Sequence, residues 1–296
     1  MTSRPPSVRP SHVRMQKTKQ SSSGARRVVG KRSGSGSGSG WGRWVLGGWL
    51  MLALWLGVEF ARMPDVSSLR TQNPRTTALM AQRAEEALEA GRKPRARQAW
   101  VSLGAVAPHA VDAVLISEDA RFYKHEGVDW TEVENAFEQS VREARLGRGA
   151  STLTQQLAKN LYLSTDRSLL RKGRELLIAR QLEDRLSKQR ILALYLNVVE
   201  WGEGVYGIEA AAREHFGLSA RSLSVAQGAM LAAMLPAPRR WLPAQRPETL
   251  RTRAGVIIGR LERERRISGA QAREAQVELA RFFGEPAESG LVAEAS

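Results

Sequence analysis

The sequence predicts an all-α protein, a helical body preceded by one apolar helix. Three observations lead there. Apolar residues in the body recur at helical spacing, as in Val133, Ala136, Phe137, Ser140, Val141 and Ala144. The periodic runs begin at capping residues such as Thr131 and stop at glycines such as Gly91 and Gly147. No run of alternating β-branched residues is long enough for a sheet, although a short hairpin could hide in 99–108. With 296 residues, 42% of them hydrophobic, the chain holds a core and suits one domain with appendages.

The elements follow in order. Residues 1–43 hold ten of the 45 Lys/Arg and none of the 30 Asp/Glu. The net charge of +15 therefore describes this tail more than the body. The tail is rich in Ser, Gly, Pro and Arg and ends in a Ser-Gly repeat over 33–40, so it cannot bury apolar surface and reads as disordered. Residues 44–58 carry no charge, include Trp49, Leu50, Met51, Leu52 and Trp55, and are bracketed by Arg43 and Arg62. They predict a transmembrane signal-anchor helix over 44–63, short but helped by interfacial tryptophans and snorkelling arginines. No small-x-small cleavage site follows, which favours an anchor over a removed signal peptide. The basic flank puts the tail in the cytoplasm and residues 64–296 on the far side. That placement argues against ATP, nucleotide cofactors and nucleic acid as working partners. Juxtamembrane arginines meeting anionic lipid explain the tail without DNA. Helices are expected over 76–90, 131–146, 151–161, 171–186, 188–199, 206–216, 222–235, 248–266 and 269–283. There is no cysteine, so disulfides, thiolate metal sites and cysteine nucleophiles are excluded. Four histidines (His12, His109, His125, His215) leave little for a His-rich metal cluster.

Three polar clusters could carry chemistry. Glu118-Asp119 follows the apolar stretch 111–116, so a carboxylate at the end of a buried helix is a candidate for a raised pKa and a general base. The alternative is a solvated helix end with a salt bridge to Arg121. Residues 147–160 join a glycine-flanked loop to a helix opening Ser151-Thr152, with Gln156, Lys159 and Asn160 on one face. Free N–H groups, hydroxyls and the helix dipole there suit an anionic or polyhydroxylated ligand, or simply cap the helix. Arg171, Lys172 and Glu175 are helix neighbours, a pattern that also makes ordinary surface ion pairs.

Read together, the clusters resemble the motifs of the peptidoglycan glycosyltransferases, family 51 of the glycosyltransferases. E-D-x-x-F-x-x-H stands as Glu118, Asp119, Phe122 and His125; G-x-S-T-x-T-Q-Q-L-x-K-N runs over 149–160; R-K-x-x-E runs over 171–175; and K-Q-R-I-L-A-L-Y-L-N runs over 188–197. Residues 200–207 and 231–241 also fit, all in family order. The core motifs lie within 100–245. One departure is Ala193, where the fourth motif often has glutamate. The resemblance implies a mostly helical, lysozyme-like domain of two lobes, with a mobile segment at 163–170. It implies polymerisation of lipid II into linear β-1,4 glycan strands with inversion and release of undecaprenyl pyrophosphate. Glu118 and Glu175 are then catalytic. Asp119, Phe122, His125, Ser151, Thr152, Gln156, Lys159, Asn160, Arg171 and Lys172 bind substrate. No cofactor is required by this reading; a divalent ion (Mg2+ or Mn2+) near Glu175 stays open. The implied setting is the bacterial inner membrane, with the catalytic domain periplasmic, lipid II and growing lipid-linked glycan as partners, and cell-wall synthesis or division proteins as candidate associates. Moenomycin is the expected inhibitor. The larger relatives carry S-x-x-K and K-T-G motifs of a penicillin-binding domain; neither occurs here, so no crosslinking is expected.

Residue chemistry agrees with that reaction. A sugar hydroxyl needs a base, for which Glu118 is placed. Pyrophosphate already leaves well, so positive charge from Lys159, Arg171 and Lys172 helps more than a protonating acid. A glycan-cleaving enzyme of similar fold would need no such phosphate site.

Overall fold

A computed structural model describes residues 40–61, 63–134, 151–163, 168–245 and 247–284. The expected tail up to residue 39, most of the helix 131–146 and part of the segment 163–170 lie outside them, while residues 40–43, expected in the tail, begin the first helix. The helices are α1 (Gly40–Ala61), α2 (Ala78–Glu89), α3 (Pro108–Glu118), α4 (Leu153–Tyr162), α5 (Leu169–Arg185), α6 (Lys188–Val198), α7 (Ile208–Phe216), α8 (Val225–Met234), α9 (Glu248–Arg263) and α10 (Gly269–Phe283). A further helical stretch begins at residue 130.

The chain divides within α1 into two compact units, after Trp55. The described part of the first is one helix whose apolar side chains face outward, Trp44 at 83% and Met51 at 69% exposure. No helix among the described residues is long and apolar enough to cross a membrane. In the second unit, Glu59 is buried and accepts from Arg174 Nη2 on α5 at 2.6 Å.

The helices start where short polar side chains can satisfy free backbone N–H groups. Thr77, Thr152, Ser168 and Ser187 cap α2, α4, α5 and α6. Ser224 and Ser268 form capping boxes with Gln227 and Gln271. Pro108 opens α3, where its missing N–H costs nothing. The core is one cluster of buried apolar side chains. In it α3 packs on α8 and α9, while α4 packs on α5 and α6. Gly228 permits the α3–α8 approach, since a Cβ there would lie 2.9 Å from Ala110 Cα. Those two packings matter for function: they fix the end of α3 and the start of α4, where the polar clusters lie.

The hairpin expected in 99–108 is not formed. Residues Arg97–Gln98 instead pair in parallel with Val205–Tyr206, and Leu103–Ala105 is a single 3-10 turn. The physical reason is Asn197 at the end of α6. Its side chain accepts from Val101 N and donates to Val101 O, both at 2.9 Å, so this segment finds its backbone partners about a hundred residues downstream.

Candidate active site

Four apolar residues of α3, Ala113, Val114, Leu115 and Ile116, are buried, and the helix ends at Glu118. The chain leaves the helix at Asp119, whose extended φ of −163° turns its carboxylate away along a different path from that of Glu118. Glu118 Oε2 accepts from Gln156 Nε2 at 2.9 Å, and Oε1 accepts from Ser117 Oγ at 3.3 Å. Burial pushes the Glu118 carboxyl above its ordinary range, opposed by those hydrogen bonds and by the charges of Arg253 and Lys159. Arg121, the alternative ion partner, pairs with Asp129 at 3.4 Å. Among the described residues Glu118 has no salt bridge. A cleft of about 140 Å3 opens beside it, lined by Ser117, Arg121, Ser151, Thr152 and Arg260 as well.

Asp119 also lines this cleft, and its carboxylate reaches His125 and α4. The Asp119 carboxylate accepts from His125 Nε2 at 3.0 Å and from Leu153 N at 2.9 Å. It therefore ties the turn after α3 to the first N–H of α4. Phe122 is buried, with Lys188 Nζ 4.4 Å from its ring centre. Thr152 is committed too: its hydroxyl donates to Gly127 O at 2.6 Å and accepts from Gln155 N at 3.2 Å. Gly127 has φ +87° and its carbonyl also accepts from Gln155 Nε2, so this glycine seats the start of α4.

The second half of the site lies where α5 meets α4. Glu175 is buried, and its two oxygens are taken by different cations. Arg171 Nη1 donates to Oε2 at 2.6 Å, and Lys172 Nζ donates to Oε1. Lys172 Nζ also donates to Ser151 Oγ at 3.1 Å and Gln155 Oε1 at 3.0 Å. Ser151 thus joins the cleft beside Glu118 to the cations of α5. The Lys159 ammonium, on the last turn of α4, makes no hydrogen bond or ion pair among the described residues. Burial lowers its pKa, and Glu175 and Glu118 only partly restore the charged form. An incoming phosphate would supply that missing counter-charge. Asn160 is buried beside it in sequence.

The donors around Glu175 do not fit a divalent ion: both oxygens already face cations, and among the described residues no second carboxylate groups with it at ligand spacing. The one His/Asp/Glu cluster at ligand spacing among the described residues is Asp119, His125 and Asp129. Asp119 accepts from the Leu153 N–H and from His125 Nε2, and Asp129 accepts from the backbone N–H groups of Thr131 and Glu132 and pairs with Arg121, while His125 Nδ1 is buried without a hydrogen-bond partner.

The structure thus brings Glu118 and Gln156 together, and Ser151, Arg171, Lys172 and Glu175 together. Sequence reasoning missed Gln155, Tyr195 and Arg253. Gln155 stands inside the Thr-Gln-Gln motif and could have been named from it. Tyr195 OH donates to Gln156 Oε1 at 3.0 Å from 39 residues away, and no spacing rule reaches that far. Arg253 lies on α9 with its guanidinium 5.2 Å from the Trp241 ring centre, again without a local signal.

The transglycosylase family matches residues 84–262, and the chain belongs to that family of glycosyltransferases. Its relatives narrow the class. It is 43% identical over 220 residues to the biosynthetic peptidoglycan transglycosylase of Azoarcus sp. (strain BH72), covering 74% of this chain and 94% of that one. It is 41% identical over 212 residues to the protein of the same name from Nitrosomonas eutropha, covering 72% and 87%. A solved structure, penicillin-binding protein 1A from Haemophilus influenzae, matches 62% of this chain and 18% of its own length, at 21% identity and TM-score 0.36.

Proposed function

We propose that this glycosyltransferase polymerises lipid II into linear β-1,4 glycan, with inversion and release of undecaprenyl pyrophosphate. The observation that carries the reading is the division of the site into two halves. Glu118 is a half-buried carboxylate with no salt bridge among the described residues, held by one amide and a weak hydroxyl contact, at the edge of a cleft. Ser151 links that cleft to Lys172, Arg171 and Glu175, with Lys159 on the same helix as Ser151's neighbour Thr152. The first half suits removal of a proton from the acceptor 4-hydroxyl. As that oxygen attacks the donor C1, the C1–phosphate bond breaks and the proton stays on Glu118. The second half suits the charge that develops on the departing pyrophosphate. Glu175 orients Arg171 and Lys172, and no step is routed through a metal. A hydrolase acting on neutral glycan would have no use for the second half.

The reading places α1 in the inner membrane, with the tail cytoplasmic and the catalytic unit periplasmic. Its outward apolar side chains support this, as does the advantage of confining an enzyme to the surface that holds its lipid-linked substrates. No penicillin binding is expected, and moenomycin should compete for the cleft. The test is lipid II polymerisation by detergent-purified full-length chain beside Glu118→Gln. A glycan ladder made by wild type and absent from the folded variant is the expected result. A ladder from both would remove Glu118 from its role.

A further inference from the structure

We propose that Tyr195 is a positioning residue that locks the Gln156 amide so that Glu118 is held as a carboxylate. This rests on the reading of Glu118 as the base. Tyr195 lies on α6 with no exposed surface, and its hydroxyl donates to Gln156 Oε1 at 3.0 Å. The opposite end of that amide donates through Nε2 to Glu118 Oε2 at 2.9 Å. An amide has one accepting and one donating end, so fixing one fixes the other. With its oxygen engaged by Tyr195, Gln156 presents only N–H to Glu118. N–H binds the ionised carboxylate more strongly than the carbonyl oxygen of the protonated acid, and gives the acid's O–H no acceptor. A free amide could rotate and give the protonated acid its oxygen. Tyr195 blocks that rotation and so opposes the effect of burial. Its own deep burial and the nearby charges of Glu118 and Asp119 keep the phenol protonated and donating. The other charged groups facing Glu118 are Lys159 on α4 and Arg253 on α9, with Arg260, Arg121, Asp129 and Glu132 on the cleft wall. None of them touches the Gln156 carbonyl in the described hydrogen bonds.

Tyr195→Phe keeps the ring and removes the donor. The acid limb of kcat against pH should move up by about 0.5–1 unit, with KM little changed and the melting temperature close to wild type. The Glu118 carboxyl can be followed without turnover by 13C NMR of glutamate-labelled protein, assigned by subtracting the Glu118→Gln spectrum. Its titration should move by the same amount. Gln156→Leu should reproduce that shift, and adding Tyr195→Phe to it should move the titration no further. If Tyr195→Phe folds and the Glu118 titration stays in place, the inference is wrong while the base assignment stands. If Tyr195→Phe does not fold, Gln156→Leu decides: an unmoved titration overturns the inference. If Glu118→Gln still polymerises, the underlying reading is wrong whatever Tyr195 does.

Discussion

Glu118 and Glu175 are both largely removed from water, and the protein treats them in opposite ways. Glu175 has a cation on each oxygen, Arg171 and Lys172. Glu118 has one amide, one weak hydroxyl contact and no salt bridge among the described residues. A carboxylate with a cation on each oxygen holds those cations in place. A buried carboxylate with a single neutral donor holds a proton more readily. On the proposed mechanism, this difference would divide the work between a group that takes a proton and a group that holds positive charge in place.

The largest effect should come from Glu118. Its replacement by Gln keeps shape and removes the base, and turnover should fall by about 10²–10⁴-fold with the fold intact, measured as lipid II consumption. Equal rates would erase the division. Next is Lys159→Met, which keeps the stem and removes a cation with no hydrogen-bond partner. A drop of about 10–10²-fold in kcat/KM is expected, read on the same assay. Unchanged kinetics would take Lys159 out of the pyrophosphate half. Third is Glu175→Gln, which leaves Arg171 and Lys172 facing each other without their anion. Unfolding by urea should show a loss of about 1–3 kcal/mol, discounted because Lys172 is partly exposed. A neutral result would mean that the cations relax into solvent.

The smallest effect sharpens the contrast most. Burial raises the Glu118 pKa above its unfolded value. Its contribution to stability is therefore full at low pH and is lost as pH rises through the folded pKa. Glu118→Gln should match wild type in acid and melt about 1–2 °C higher at and above neutral pH. Glu175→Gln should melt lower than wild type at neutral pH. A Glu118→Gln variant that is less stable than wild type at high pH would show that the carboxylate is better paired than its contacts indicate.

Much of this was legible along the chain because it is local. Thr152 caps α4, and the spacing of Gln156 and Lys159 on one helix follows from the sequence. Arg171, Lys172 and Glu175 are neighbours by the same rule, and only the burial of Glu175 was unexpected: the carboxylate of a pattern common on surfaces is here covered while its cations stay partly exposed. The unread parts are those whose partner is remote. Asn197 holds Val101 across 96 positions, which defeats any hairpin assignment for 99–108. Asp119 and His125 suggest ligand chemistry by type. Their hydrogen bonds go to each other and to Leu153 N, a link that appears only once α3 and α4 are packed. Tyr195 is apolar by periodicity and polar only at its tip, so helical patterning assigns it to the core and says nothing of its hydroxyl.

Gln155 and Gln156 are chemically identical neighbours, yet one serves Lys172 and the other Glu118. Successive residues on a helix point about 100° apart. The phase of α4 alone therefore decides which glutamine meets the cation and which meets the carboxylate. Its clock is set at Thr152, locked to Gly127, and at Leu153, locked to Asp119. Slipping α4 by one residue would leave one half-site its glutamine and put Thr154 or Leu157 in the other.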